Sequence, residues 1–175
     1  MAAAQSVIFR KSNRRIAALA LFVLALDQFT KWIVLQKLPD LYDEKIIING
    51  FFKFVHWGNT GAAWSLFSGN NSMLALVALL ALVALFLSRH HFDSHTLTGQ
   101  VAFGLIFGGI AGNLADRLIR HQVVDFIRFY IQQRDGGEIG FPAFNVADSA
   151  ICTGVGLIFL ITWKNEHAPK VAESK

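Results

Sequence analysis

The chain has 175 residues, 54% of them hydrophobic, and a formal net charge of +4 at neutral pH. This apolar content, which includes 16 phenylalanines, exceeds what a soluble domain of this length needs for its core. The composition therefore excludes an ordinary soluble domain and indicates a membrane protein. Cys152 is the only cysteine, which excludes an intrachain disulfide.

Four segments are long and apolar enough to cross a bilayer, which takes roughly 20 helical residues each. They cover approximately residues 15–37, 72–89, 97–119 and 141–163. The first is too long for the apolar core of a signal peptide and contains Asp27 and Lys31, so we expect it to be retained. We predict an all-α membrane protein with four transmembrane helices, formed by a single domain over residues 1–175.

Lysines and arginines divide almost equally between the two sides of these predicted spans. The cluster Arg10, Lys11, Arg14 and Arg15 precedes the first span, and the first helix usually sets the orientation. We therefore expect both termini in the cytoplasm. The connections 38–71 and 120–140 then face outward.

Both outward connections contain β-prone sequence, at about residues 45–57 and 123–131. The first, "KIIINGFFKFVHW", contains Asn49-Gly50, a dipeptide that tolerates the positive φ angles of a hairpin turn. Aromatic residues collect at the boundary between water and lipid. We therefore predict a small extracytoplasmic β-sheet at the membrane surface. The loop 132–140 reads as a plain solvated turn.

The third span carries two features that predict helix packing and local pairing. Gly104, Gly108 and Gly112 lie on one face of the helix, which allows a second helix to approach closely and favours a central position. Asp116 and Arg117 lie near its end, where charged groups can reach the interface and pair locally. We interpret Asp116 as structural.

The first span contains polar residues where the bilayer makes them costly. Asp27, Thr30 and Lys31 share one helical face, so the two opposite charges can pair. The favoured interpretation is an ion pair that locks helices together.

Two further aspartates are candidates for chemistry. Asp148 lies six residues after Pro142, which suits a first helical turn, and this places Asp148 about 9 Å into the fourth span. Asp125 is flanked by apolar residues, so its pKa should rise if it is buried. In the four-span arrangement both lie near the outer face and can meet. Two adjacent carboxylates share a proton and supply a base and an acid, which suits peptide hydrolysis by water.

Other functions fit parts of the same pattern. A small proton-coupled transporter would use Asp27, Asp116, Asp125 and Asp148 as a relay. A non-enzymatic helix bundle would use the glycine face, and a serine–lysine protease would use Lys31 with Ser65. The histidines at 90, 91 and 95 lie on the opposite side from the acids, so we predict no metal and no cofactor.

Four blocks in this order resemble the bacterial lipoprotein signal peptidase family, signal peptidase II, an intramembrane aspartyl protease. They are "DQFTK" (27–31), "NTGAAWS" (59–65), "GNLADRLIRHQVVDF" (112–126) and "FNVADS" (144–149). The resemblance implies that Asp125 and Asp148 are the catalytic pair. It also implies that eight residues bind substrate or support the site: Asn59, Gly61, Asn113, Asp116, Arg117, Asn145, Asp27 and Lys31.

The resemblance further implies removal of the signal peptide from a prolipoprotein whose cysteine carries diacylglycerol, with the cut just before that cysteine. The implied partners are this substrate and membrane lipid, with no nucleic acid and no obligate protein partner. The implied location is the bacterial inner membrane, with the active site near the outer face. The chain departs from the family at His121, where glycine is frequent, and at Trp64, where phenylalanine is common.

Overall fold

The computed structural model describes residues 2–61, 69–92, 94–134 and 136–167. The helices are α1 Ala2–Lys37, α2 Asn71–Ser88, α3 Leu97–Ile119 and α4 Val146–Glu166, with a short 3₁₀ helix at Arg89–Phe92. The strands are β1 Glu44–Ile48, β2 Phe52–Asn59, β3 Val123–Gln132 and β4 Glu138–Gly140. Trp64 and Ser65 lie outside the described residues.

Four helices in the described part of the chain are long and apolar enough to span a membrane. Their apolar segments are Ser12–Lys37, Asn71–Ser88, Leu97–Ile119 and Val146–Glu166. The first three agree closely with the predicted spans. The α3 segment is 56% buried, whereas the other three are at most 22% buried, so α3 is central as predicted.

The predicted start of the fourth span at residue 141 is wrong, because α4 begins at Val146. The preceding segment belongs to the sheet: the Phe144 carbonyl accepts hydrogen bonds from the backbone N–H groups of Phe126 and Ile127. Asn145 then caps α4. Asp148 therefore lies in the first turn of the helix, not about 9 Å inside it.

The glycine face of α3 packs against α1, as the sequence predicts. A Cβ atom at Gly104 would meet the Leu19 side chain, and one at Gly108 would meet Val23. These clashes show that only glycine allows the two helices to lie this close. The close approach brings the polar residues of α1 against those of α3.

The four strands form one antiparallel sheet in the order β1-β2-β3-β4. Gly50 has φ 71° in the first hairpin, which confirms the turn predicted there. The loop 132–140 is not a plain turn, because β4 pairs with the end of β3. Val124 and Phe126 of β3 pack with Val34 of α1, so the sheet lies against the end of the bundle where α1 finishes.

A buried lysine joins three strands of this sheet. Lys53 on β2 is 3% exposed, and its Nζ lies 2.6 Å from Glu44 of β1 and 2.8 Å from Glu138 of β4. The pairing stabilises the position of β4, the strand that the sequence did not predict. It also holds in place the hairpin that leads toward Asn145 and α4.

Candidate active site

Charged residues of α1 and α3 form a buried group, called here the ionic cluster: Asp27, Lys31, Asp116 and Arg120. Lys31 Nζ lies 2.8 Å from Asp27 Oδ2 and 2.8 Å from Asp116 Oδ2, and these three side chains are 0% exposed. The predicted pairing of Asp27 with Lys31 is confirmed. The cluster extends that pair across the interface between the two helices.

Asp116 does not reach the boundary between water and lipid, because its side chain is fully buried. Its local partner is Arg120, one helical turn further on, and not Arg117. Its Oδ2 also accepts a hydrogen bond of 3.1 Å from the backbone N–H of Val124. Asp116 therefore links α3 to the start of β3, which agrees with a structural interpretation.

Sequence reasoning missed two members of this region, Gln28 and Arg120. Gln28 Nε2 donates to Asp27 Oδ2 and Asp116 Oδ1, each at 3.1 Å, and Gln28 Oε1 accepts from Arg120. The spacing of four residues between Asp116 and Arg120 was a usable signal, because such pairs face each other on a helix. The side-chain amide of Gln28, next to Asp27 inside a membrane span, was a second signal in the sequence.

Asp125 and Asp148 come from different elements and are held by asparagines. Asp125 on β3 is 3% exposed and accepts hydrogen bonds from Asn59 Nδ2 at 2.9 Å and Asn145 Nδ2 at 2.8 Å. Asp148, half-buried in the first turn of α4, accepts from Asn113 Nδ2 at 2.7 Å. The backbone N–H of Asn145 donates to its other oxygen at 3.2 Å.

A second partner fixes the orientation of each asparagine. Asn145 Oδ1 accepts from the Asp148 backbone N–H at 2.9 Å, and Asn59 Oδ1 accepts from the Gly61 N–H at 2.9 Å. Asn113 Oδ1 accepts from Lys31 Nζ at 3.1 Å. Because the oxygens are engaged as acceptors, all three amides present their NH₂ groups to the aspartates.

Burial and the neighbouring charge of Asp148 raise the pKa of Asp125 to about 7. The hydrogen bonds from Asn59 and Asn145 act in the opposite direction but do not offset the loss of hydration. This agrees with the sequence-based expectation for a buried acid at this position. Asp125 thus changes protonation state near neutral pH.

Arg117 and Gly61 border the two aspartates. Arg117 Nη2 donates to the Gly61 carbonyl at 3.3 Å, and Nη1 donates to the Asn113 carbonyl at 3.4 Å. The guanidinium is close enough to Asp125 and Asp148 to interact with both electrostatically. Arg117 therefore supplies positive charge beside the acids while it holds the start of the loop after β2.

The departure at His121 has a structural consequence. His121 has φ 59°, in the left-handed region where glycine is favoured. It occupies the turn between the end of α3 and β3, so it lies between Asp116 and Asp125 in the chain. The histidine adopts the backbone shape that a glycine would take without strain.

The structure thus brings the sequence-predicted residues into two joined groups at one end of the bundle. In the part of the chain that the structure describes, no three His, Cys, Asp or Glu side chains are placed to hold a metal ion. The group formed by Asp125, Asp148 and their asparagine partners contains two neighbouring carboxyl groups, one of which gains or loses a proton near neutral pH. That arrangement suits acid and base chemistry on a bound amide.

Comparisons with known proteins agree on one family. Residues 19–164 match the family described as Signal peptidase (SPase) II. The chain is 40% identical over 143 residues to a lipoprotein signal peptidase of Symbiobacterium thermophilum, which covers 81% of this chain and 90% of the relative. It is 36% identical over 143 residues to the Bacillus subtilis lipoprotein signal peptidase, covering 81% and 88% of the two chains.

A solved structure has the same fold. It is a bacterial membrane enzyme determined by the in meso method at 2.3 Å resolution, with a TM-score of 0.77 and 34% sequence identity. The match covers 91% of this chain and 94% of that one.

Proposed function

This chain belongs to the signal peptidase II family of membrane peptidases, and from that premise we propose that Asp125 and Asp148 are its catalytic pair. The substrate is a prolipoprotein, from which the enzyme removes the signal peptide. One observation carries the proposal. In the described part of the chain, every hydrogen bond to these two carboxyl groups comes from an amide, and none comes from a cation.

The two aspartates take different roles in hydrolysis. Asp148 lies in the first turn of α4, where the helix dipole favours negative charge, so Asp148 is the base that takes a proton from water. Asp125, with its pKa of about 7, holds the proton that polarises the scissile carbonyl. After water attacks the carbonyl carbon, the leaving amine takes a proton from the pair. No covalent intermediate with the enzyme is needed.

The distribution of basic residues supports a location for the site on one side of the membrane. Arg14 and Arg15 lie on α1 at the end away from the sheet, and basic residues favour the cytoplasmic side. This supports cytoplasmic termini, an extracytoplasmic sheet and an active site at the outer face of the inner membrane. There the enzyme meets a diacylglyceryl-modified cysteine and cuts just before it. Residues 1–175 act as one domain, without an obligate protein partner.

A transmembrane proton relay fits the structure less well. The helix α2 contains no acidic residue, and α3 contains none before Asp116. Asp27 and Asp116 are paired with Lys31, so their charges are compensated. The same pairing engages Lys31 Nζ with two carboxylates, which argues against a serine–lysine mechanism.

The proposal is tested by cleavage of a purified diacylglyceryl-modified prolipoprotein in detergent, with a chelator present throughout. Wild type, Asp125→Asn, Asp148→Asn and the control Asp40→Asn are compared, since Asp40 is an exposed loop aspartate. We expect wild type and the control to cut before the modified cysteine. The two site variants should lose at least about 10²-fold in rate, because acid–base catalysis contributes roughly 10²–10⁴-fold.

Folding of each variant is checked by its thermal unfolding in the same detergent. Retained cleavage by either site variant contradicts the catalytic pair. If folded wild type does not cut, the peptidase assignment is wrong for this substrate, and proton flux in liposomes becomes the next measurement.

A further inference from the structure

An apolar groove runs along the membrane-spanning part of the bundle. It consists of two cavities of about 380 and 350 Å³. Val83 on α2 and Ala111 on α3 line the larger of these two cavities. Leu79 on α2 and Leu114 on α3 line the smaller one. Residues spaced by three or four share one helical face. The two cavities therefore follow each other along a single face of α2 and a single face of α3, and α1 forms a third wall of the larger cavity through Ala20, Leu21 and Leu24.

The groove extends through much of the bilayer. Its α2 face runs from residue 72 to residue 86, a length of about 21 Å at 1.5 Å per residue. A hydrocarbon core is about 30 Å thick, so one leaflet is about 15 Å. The groove is thus long enough to receive a whole acyl chain of one leaflet.

The end of the groove nearest the sheet is polar. Arg117, Asn71 and His121 line the cavity at that end, and Asn71 Nδ2 donates to the Arg117 carbonyl at 2.9 Å. The Nε–H of Arg117 is buried and has no hydrogen-bond partner among the described residues. A buried donor without a partner is costly, so an ester oxygen at this position would satisfy it.

The same arginine connects the groove to the acids. Arg117 interacts electrostatically with Asp125 and Asp148, and it lines the mouth of the groove. An acyl chain attached to the reacting cysteine would therefore leave the catalytic pair directly into the groove. A helical signal segment fits poorly, because both cavities together hold less than half the roughly 1,600 Å³ of a 21 Å helix about 10 Å wide.

We propose that this groove between α2 and α3 binds an acyl chain of the diacylglyceryl group on the substrate cysteine, with Arg117 at the ester. This rests on the proposed function, since it assigns a subsite for the lipid part of that substrate. The groove then acts as a lipid ruler that positions the modified cysteine at Asp125 and Asp148. The enzyme should bind long-chain substrates more tightly than short-chain ones.

The test uses two versions of one prolipoprotein peptide, carrying dihexadecanoylglyceryl-cysteine or dibutanoylglyceryl-cysteine. Val83→Phe fills the groove from α2, and Val77→Phe is the matched control on another face of the same helix. The two valines are 49% and 53% exposed, so both changes are sterically tolerated. Val83→Phe should raise KM for the long-chain substrate about tenfold, the effect of removing roughly two methylene groups from the groove.

The short-chain substrate should be cut equally well by wild type and both variants. Ala111→Leu, which narrows the same cavity from α3, should repeat the chain-length-dependent loss. Equal long-chain KM values for Val83→Phe and Val77→Phe overturn the proposal, as does an equal loss on both substrates in the two groove variants.

Two further experiments distinguish the substrate acyl chain from other possible occupants of the groove. If the effect of Val83→Phe appears only after phosphatidylglycerol is added, the groove holds a free phospholipid and the proposal is wrong. If the effect follows the apolar sequence of the signal segment instead of acyl length, the occupant is the peptide helix, and the proposal is again wrong. Failure of wild type on both substrates refutes the proposed function itself.

Discussion

Two groups of aspartates meet at the same end of this bundle, and they differ in what surrounds them. Asp27 and Asp116 contact cations, Lys31 and Arg120. Asp125 and Asp148 receive hydrogen bonds from amides. A cation in direct contact compensates the charge of a carboxylate, whereas a neutral amide donor positions the carboxyl group without adding a compensating charge. The first arrangement therefore suits a structural role, and the second suits proton transfer.

One residue joins the two groups. Asn113 Oδ1 accepts hydrogen bonds from Lys31 Nζ at 3.1 Å and from Asn145 Nδ2 at 3.2 Å. Its Nδ2 is thereby directed to Asp148. The ionic cluster thus orients a donor of the proposed catalytic pair, so damage to the cluster should reach the site through Asn113.

The largest expected effect on stability comes from breaking the ionic cluster. Lys31→Met leaves Asp27 and Asp116 buried with one fewer cation, and removing one partner of a buried pair typically costs about 3–5 kcal/mol. We expect the free energy of unfolding in detergent to fall by that amount. The control is Asp125→Asn, which removes no ion pair and should cost less, about 1–3 kcal/mol, because its NH₂ group replaces one oxygen that accepts a hydrogen bond.

Asp116 keeps Arg120 in Lys31→Met, so Asp27 is the acid that loses its cation, and adding Asp27→Asn removes that uncompensated charge. The double variant should therefore recover part of the lost stability. Equal losses of stability in Lys31→Met and Asp125→Asn would show that the two groups do not differ in the way argued here.

The second effect is a pH dependence of stability that comes from Asp125. Its folded-state pKa is about 7, above the ordinary value of 3.8, so the folded protein binds this proton more tightly than the unfolded chain does. The stabilisation is full below about pH 4 and is lost as pH rises toward 7, by at most about 1.4 kcal/mol per pH unit. Asp125→Asn should flatten this slope in unfolding measured from pH 5 to 7.5.

The matched comparison is Asp40→Asn, which should keep the wild-type slope because Asp40 is an exposed loop residue. An unchanged slope in Asp125→Asn would mean that Asp125 does not titrate near neutral pH. The acid role assigned to it would then be wrong.

Much of the fold could be predicted because it depends on local signals. Hydropathy locates α1, α2 and α3, and Asn49-Gly50 locates the first hairpin. The start of α4 could not be found this way, since Phe144 is held out of the helix by hydrogen bonds to β3. Such a contact depends on a strand about twenty residues away in sequence.

The site could be predicted in part. Apolar neighbours and the order of the spans indicate that Asp125 and Asp148 can meet. The partners of Asp116 were harder to identify, because Arg117 is adjacent in sequence while Arg120 is adjacent on the helix. The backbone shape at His121 could not be inferred from the residue itself, because most histidines adopt a negative φ.

The smallest expected effect lies at the turn that connects the two groups. His121→Gly relieves a left-handed conformation that costs a residue with a Cβ about 1–2 kcal/mol, but glycine gains freedom in the unfolded chain. We expect a net stabilisation below about 1 kcal/mol, seen as a small rise in Tm. His121→Ala is the control, since it removes the ring and keeps the unfavourable φ, and it should give no rise. A lower Tm for His121→Gly would show that the imidazole stabilises the turn, so that the link from Asp116 to Asp125 depends on this side chain and not on backbone shape.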